Sequence, residues 1–222
     1  MQKHYEREVN ELVTILMEQL ERVQTNTRIA LSPYLADEGG AGDGFIDDKT
    51  LDQNEVIIEE ECLKIIALHQ PVADELRFLT TVIKTNYNLE RIGDLLKEIH
   101  ALKVDHPHVS REIGDEHPGL LPLFSSVRDA VTEACHCLAE RSAPLAKQVW
   151  SRNLAIDQHC KSTMLDIRSA LKQRPATDSL LDALLCVRYA ERIADHAANV
   201  AKEVLYLATG EIVRHRRREI LG

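Results

Sequence analysis

The chain has 222 residues and a formal net charge of −9, with 44% hydrophobic, 28% charged and only 4% aromatic residues. The acidic balance excludes a nucleic-acid backbone as the main partner, because phosphates call for a basic face. Few aromatics beside abundant Leu, Ala, Glu, Lys and Arg exclude a β-sandwich and favour helices.

Six helices are predicted in chain order. Val9, Leu12, Val13, Leu16, Leu20, Val23 and Leu31 recur at three- and four-residue steps, which predicts a first helix from about Tyr5 to Leu31, stopped by Ser32-Pro33. After the Gly39-Gly40-Ala41-Gly42 breaker, a second carries Leu51, Val56, Ile58, Cys62, Ile65 and Ile66 and ends at His69-Gln70. Pro71 is expected to open the third, at the position where proline is tolerated. Its inner face is Leu76, Leu79, Val82, Ile83, Asn86, Leu89, Ile92, Leu96 and Ile99. Turn formers and charge from Val104 to Gly119 then read as a linker. A fourth helix carries Leu123, Val127, Val131, Cys135 and Leu138, and a fifth starts near Pro144 and runs through Val149, Ile156, Cys160 and Ile167. After Pro175, an Asp178 cap introduces a sixth, with Leu181, Leu184, Ile193, Val200 and Val204.

The last helices of the two triplets echo each other, Leu89-Glu90-Arg91-Ile92-Gly93-Asp94 against Ala190-Glu191-Arg192-Ile193-Ala194-Asp195. Such self-similarity marks a duplicated unit. The expected architecture is therefore all-α: two tandem, sequence-related three-helix bundles at 1–104 and 119–210, a linker at 105–118 and a basic tail at 211–222 carrying Arg214 to Arg218. The opening Met1-Gln2-Lys3-His4-Tyr5-Glu6 lacks the apolar run of a signal, and no apolar stretch approaches the roughly 20 residues that span a bilayer. The reading is a cytoplasmic protein without a membrane span. Five cysteines in apolar stripes read as core thiols in a reducing compartment, and Cys135-His136-Cys137, facing three ways on a helix, is a poor chelate.

The chemistry lies in acidic spacing. Residues four apart stack on one helix face, so two carboxylates there repel unless a cation compensates. This occurs at Asp48 with Asp52, Glu90 with Asp94, and Glu191 with Asp195. Asp48 and Asp52 continue into Glu55 and Glu59, and an antiparallel neighbour brings that stripe towards Glu90 and Asp94 with little basic compensation. Oxygen-only sets suit magnesium, manganese, calcium or iron. In the second half Asn153 takes the place of Asp48, paired with Asp157, and His159 and His196 lie close in sequence as substitute ligands. Solvated acidic stripes are common on helices, so the repetition of the pair at one point in both halves carries the argument. No G-x-S-x-G, P-loop or H-E-x-x-H stands in the chain, nor the Glu-x-x-His repeat of di-iron bundles. Catalysis is not expected. Carboxylates clamping two metals keep a phosphohydrolase as the alternative, and a purely structural scaffold is the third reading.

The run from Asp48 to Asp52, the stretch Glu59 to Arg77, both acidic hexapeptides and the closing Tyr206 to Glu211 with Arg214-His215 resemble the PhoU family over nearly the whole chain. The resemblance implies two similar three-helix bundles holding multinuclear metal clusters, iron or zinc among others. The ligands would be Asp48, Asp52, Glu90 and Asp94 in one site, and Asp157, Glu191 and Asp195 with Asn153 in the other. It further implies a homodimer that regulates phosphate uptake and represses the phosphate-starvation response. Its implied partners are the ATPase subunit of the phosphate ABC transporter and the phosphate-sensing histidine kinase, met at the inner face of the membrane. A related protein could serve a different phosphate carrier. Two departures stand out: Asn153 replaces an acid, and Glu38 to Gly44 breaks a helix that is continuous in the family.

Overall fold

The computed structural model describes residues 2–35, 48–105, 119–173 and 177–213, the side chains of Gln2 and Asp48 excepted. The glycine-rich break, the linker between 106 and 118, Pro175 and the basic cluster Arg214 to Arg218 lie outside the described residues. Six helices make up the rest: α1 Gln2–Leu35, α2 Asp48–His69, α3 Asp74–Asp105, α4 Leu120–Ala139, α5 Ala143–Gln173 and α6 Asp178–Thr209. None of the described helices is long and apolar enough to cross a membrane.

Three boundaries differ from the sequence expectation, each for a local reason. Helix α1 runs through Pro33 to Leu35. Proline forfeits the hydrogen bond to the carbonyl four residues back and crowds it with its ring, and the Ser32 hydroxyl donates to that same Ile29 carbonyl at 3.4 Å. Tyr34, 3% exposed and 4.9 Å from the Phe124 ring, holds the extra turn in the core. Helix α3 begins at Asp74, not at Pro71. Gln70 and Ala73 take φ of 48° and 47°, so the chain reverses around Pro71-Val72; the Val72 carbonyl accepts from the Glu75 N–H at 3.2 Å, and the Ala73 carbonyl accepts the first i,i+4 bond, from Arg77 at 2.9 Å. Asp74 and Glu75 then sit where the helix dipole favours acids. At α6 the cap is Thr177, not Asp178: the Thr177 hydroxyl accepts from the Leu180 N–H at 3.3 Å, and Asp178 is the first helical residue. Gly210 closes α6 in the left-handed region at φ 73°, its N–H bonded to the Tyr206 carbonyl at 2.8 Å.

Within each half the three helices pack on one another, and the halves join through α3 against α6 and α1 against α4. The buried residues form one continuous core rather than two. Apolar burial gains about 25 cal/mol per Å², and a shared core denies either half that gain alone. Tyr34 on Phe124 crosses the seam, as do the Lys84 ammonium, 3.1 Å from a Glu203 carboxylate oxygen, and His196 against Asn88. All five cysteines are buried and free. Burial pushes the thiols of Cys62, Cys137 and Cys186 up to about 12, so they are inert core groups. His136 faces solvent between the buried Cys135 and Cys137.

Candidate metal centre

The first acidic set is assembled where α2 lies against α3. Their close approach rests on Gly93: a Cβ there would stand 2.9 Å from Leu51 Cδ1. Two buried amides then fix the register of α2. Gln19, on α1, donates to the Leu51 carbonyl at 3.1 Å, and Asn86, on α3, donates to the Glu55 carbonyl at 2.9 Å. Those carbonyls bracket Asp52, so its side chain is held opposite α3. One carboxylate oxygen each from Asp52, Glu90 and Asp94 lies within 4.8 Å of the others.

The electrostatics match that crowding. The Glu90 carboxyl is pushed up to about 7, first by desolvation, then by the neighbouring Asp94 charge and a hydrogen bond shared with it. Its Oε2 is buried and has no hydrogen-bond partner. Burial and the Glu59 charge also push Glu55 upward. The expectation of little basic compensation needs correction, because Arg91 lies across the pair. Its Nη1 donates to Asp94 at 3.0 Å, its Nε stands 3.4 Å from Glu90 Oε2, and its guanidinium lies 5.2 Å from the Tyr87 ring centroid. Arg91 offsets part of the charge from the exposed side without reaching the orphaned oxygen by hydrogen bond. An oxygen triad with one buried acceptor that receives no hydrogen bond has the donor chemistry of a hard divalent cation. Asp48 opens α2 one turn from Asp52, with its side chain outside the described residues.

The second set is arranged otherwise. Asp157, Glu191 and Asp195 lie near enough to the buried Cys160 to push its thiol up by charge, after desolvation. Asn153 donates through Nδ2 to Asp195 at 3.1 Å, and Arg188 pairs with Glu191. Among the described residues no second triad of acid, histidine or cysteine donors is as close as the first. The histidines turn elsewhere. His196 Nδ1 lies 2.9 Å from Asn88 Oδ1, across the seam, and His159 faces Gly119 at the start of α4. Glu55 and Glu59 line a cleft of about 820 Å³ between the halves, with Lys84, Trp150 and Glu203, and Glu55 stays close enough to the triad to feel the charges of Asp52 and Asp94.

Sequence reasoning missed Gly93 and Gln19 as organisers of this region, whereas Arg91, next to Glu90 in the motif, is expected to make a structural salt bridge and does so. A glycine inside a strongly helical stripe was the available signal for the first, since it lowers helix propensity unless close packing requires it.

Comparison with known proteins agrees with this architecture. The PhoU domain family model matches twice, at residues 16–101 and 120–204. The chain is 31% identical over 220 residues to a phosphate-specific transport system accessory protein PhoU homolog of Pseudomonas putida, covering 95% of this chain and 75% of that one. A homolog from Pseudomonas aeruginosa is 34% identical over 175 residues, 77% of this chain and 70% of the relative. The crystal structure of PhoU from Pseudomonas aeruginosa superposes with a TM-score of 0.81 at 27% identity, over 93% of this chain and 100% of that one. With its matched helical triplets and paired acidic hexapeptides, this chain belongs to the PhoU family.

Proposed function

We propose that the chain is an accessory regulator of phosphate uptake that works by binding partners, with a divalent cation in its first half setting the shape it presents. The observation that carries this reading is the convergence of Asp52, Glu90 and Asp94 at the α2–α3 contact, in a chain whose relatives are named as phosphate-transport accessory proteins. Asp52, Glu90 and Asp94 would hold the cation, and Asp48, four residues before Asp52, would join them. Iron, zinc, magnesium and manganese are the candidates, in one or several ions. Bound there, it would supply positive charge that relieves the carboxylate repulsion and cross-links two helices. The protein's own part is positional: Gly93 sets the helix spacing, Gln19 and Asn86 set the register, and Arg91 shields the pair from the solvent side.

The proposed partners are the transporter's ATPase subunit and the phosphate-sensing histidine kinase, reached by a homodimer at the inner membrane face. Binding is favoured over turnover because the chain has no G-x-S-x-G, P-loop or H-E-x-x-H motif and its relatives are named as accessory proteins. Co-purification in phosphate-rich cells tests this. The ATPase subunit is expected to come down with the wild-type chain and several-fold less with Glu90→Ala/Asp94→Ala. Equal failure of the wild-type chain to retain either partner would overturn the adaptor role. Metal-dependent hydrolysis of phosphate esters, abolished by Asp94→Ala, would replace it with an enzyme.

A further inference from the structure

The two halves repeat the same acidic spacing, yet the second builds something different from it, beginning with Asn153. This residue is 6% exposed, on the face of α5 where the first half offers Asp48 on α2. Its amide nitrogen, not its oxygen, meets Asp195, donating to Oδ1 at 3.1 Å. A cation held between the two side chains would need oxygens turned inward from both. The amide oxygen is buried with no hydrogen-bond partner, as Glu90 Oε2 is, but it is neutral and offers a cation no charge in return for its dehydration. Glu191, the next acid of the set, is held by Arg188 from one turn earlier on the same helix. Both halves set a guanidinium beside an acid, so the difference lies in Asn153: the second set has one carboxylate fewer than the first, and an N–H already occupies an oxygen of Asp195.

A second difference lies in the motif. Where the first half has Gly93, with no Cβ against Leu51, the second has Ala194, buried at 1% exposure. The glycine that lets α3 close on α2 has no counterpart at the α5–α6 contact.

We infer that Asn153 closes the second acidic set to divalent cations, so that this chain carries its metal in the first half alone. The second set is a metal-independent latch between α5 and α6. This inference rests on the metal reading of the first half only for the occupied site, and the two are separable by experiment.

Mn²⁺ uptake by the chelator-stripped full chain, followed by calorimetry and by elemental analysis after gel filtration, provides the test. Asp195→Ala is expected to leave the Mn²⁺ stoichiometry of the wild type unchanged, and Glu90→Ala/Asp94→Ala to abolish binding. Adding Asn153→Asp to the latter double variant is expected to restore Mn²⁺, with a metal-dependent rise in unfolding temperature that Asp195→Ala removes again. Mn²⁺ that survives Glu90→Ala/Asp94→Ala but is lost with Asp195→Ala would overturn the inference. Failure of folded Asn153→Asp chains to take up Mn²⁺ would overturn it as well. The Asp195→Ala arm decides even if Asn153→Asp does not fold. A wild type that binds no Mn²⁺ would sink the first-half reading, while uptake by Asn153→Asp would still support the assignment of Asn153.

Discussion

Glu90 is the residue on which the first site turns. Its carboxyl is raised by burial and by Asp94, so the folded chain binds that proton more tightly than the unfolded one. Without metal, the stability this contributes is present at low pH and lost as pH rises from the ordinary 4.5 through about 7. A divalent cation bound there would replace the proton and remove the penalty. Chemical denaturation at pH 5 and pH 7.5 is therefore expected to show the chelated protein losing stability at the higher pH. Saturating Mn²⁺ should suppress the loss, and Glu90→Gln should remove it without metal. The i,i+4 acids were legible in the sequence because helical spacing fixes which side chains share a face. Arg91 reads from the sequence as a structural salt bridge pointing sideways, and what stays hidden is that its long side chain folds back across both acids of its own motif. The Asn153–Asp195 hydrogen bond was also hidden, since one sequence shows the missing acid but not what the amide does instead.

Among the elements, the α2–α3 contact depends on Gly93. Gly93→Ala would gain about 1 kcal/mol of helix propensity in an exposed setting, but here the methyl meets Leu51 at 2.9 Å. Overpacking costs about 1–3 kcal/mol, and Leu51 is 1% exposed with little room to move, so a net loss of about 1 kcal/mol is expected. The larger effect should fall on the site, because α2 must shift to admit the methyl and carries Asp52 with it. Calorimetry should find Mn²⁺ affinity weakened about tenfold or more while helicity by circular dichroism stays unchanged. Undiminished affinity would show that the spacing does not matter. Helix existence and inner faces followed from periodicity, whereas the ends of α1, α3 and α6 did not. Ser32 replacing a donor that Pro33 lacks, two positive-φ residues around Pro71, and Thr177 accepting from Leu180 are backbone events that composition leaves open.

For the whole molecule, the shared core makes a mechanical claim. If the halves are one cooperative unit, damage in one is felt in the other. The chain has a single tryptophan, Trp150, on α5 in the second half and 3% exposed. Leu89→Ala empties a fully buried position on α3 in the first half and should cost about 2–5 kcal/mol. The Trp150 fluorescence transition is expected to move to lower denaturant together with the circular-dichroism transition. A Trp150 transition left in place while helicity is lost earlier would mean two independent bundles. The duplication was readable from the paired hexapeptides, but the single core was not, because nothing in a repeat specifies whether its copies dock. Tyr34 on Phe124 and Lys84 on Glu203 are contacts between residues 90 or more positions apart, beyond the reach of local pattern.

The most direct test of the regulator reading is alkaline phosphatase activity in phosphate-rich medium, in cells lacking this gene and complemented from a plasmid. The account predicts high activity in the deletion, repression by the wild-type chain, and loss of that repression with Asp52→Ala/Glu90→Ala/Asp94→Ala at equal protein level. Activity that is low in the deletion, or repressed as fully by the triple variant as by the wild type, would contradict it.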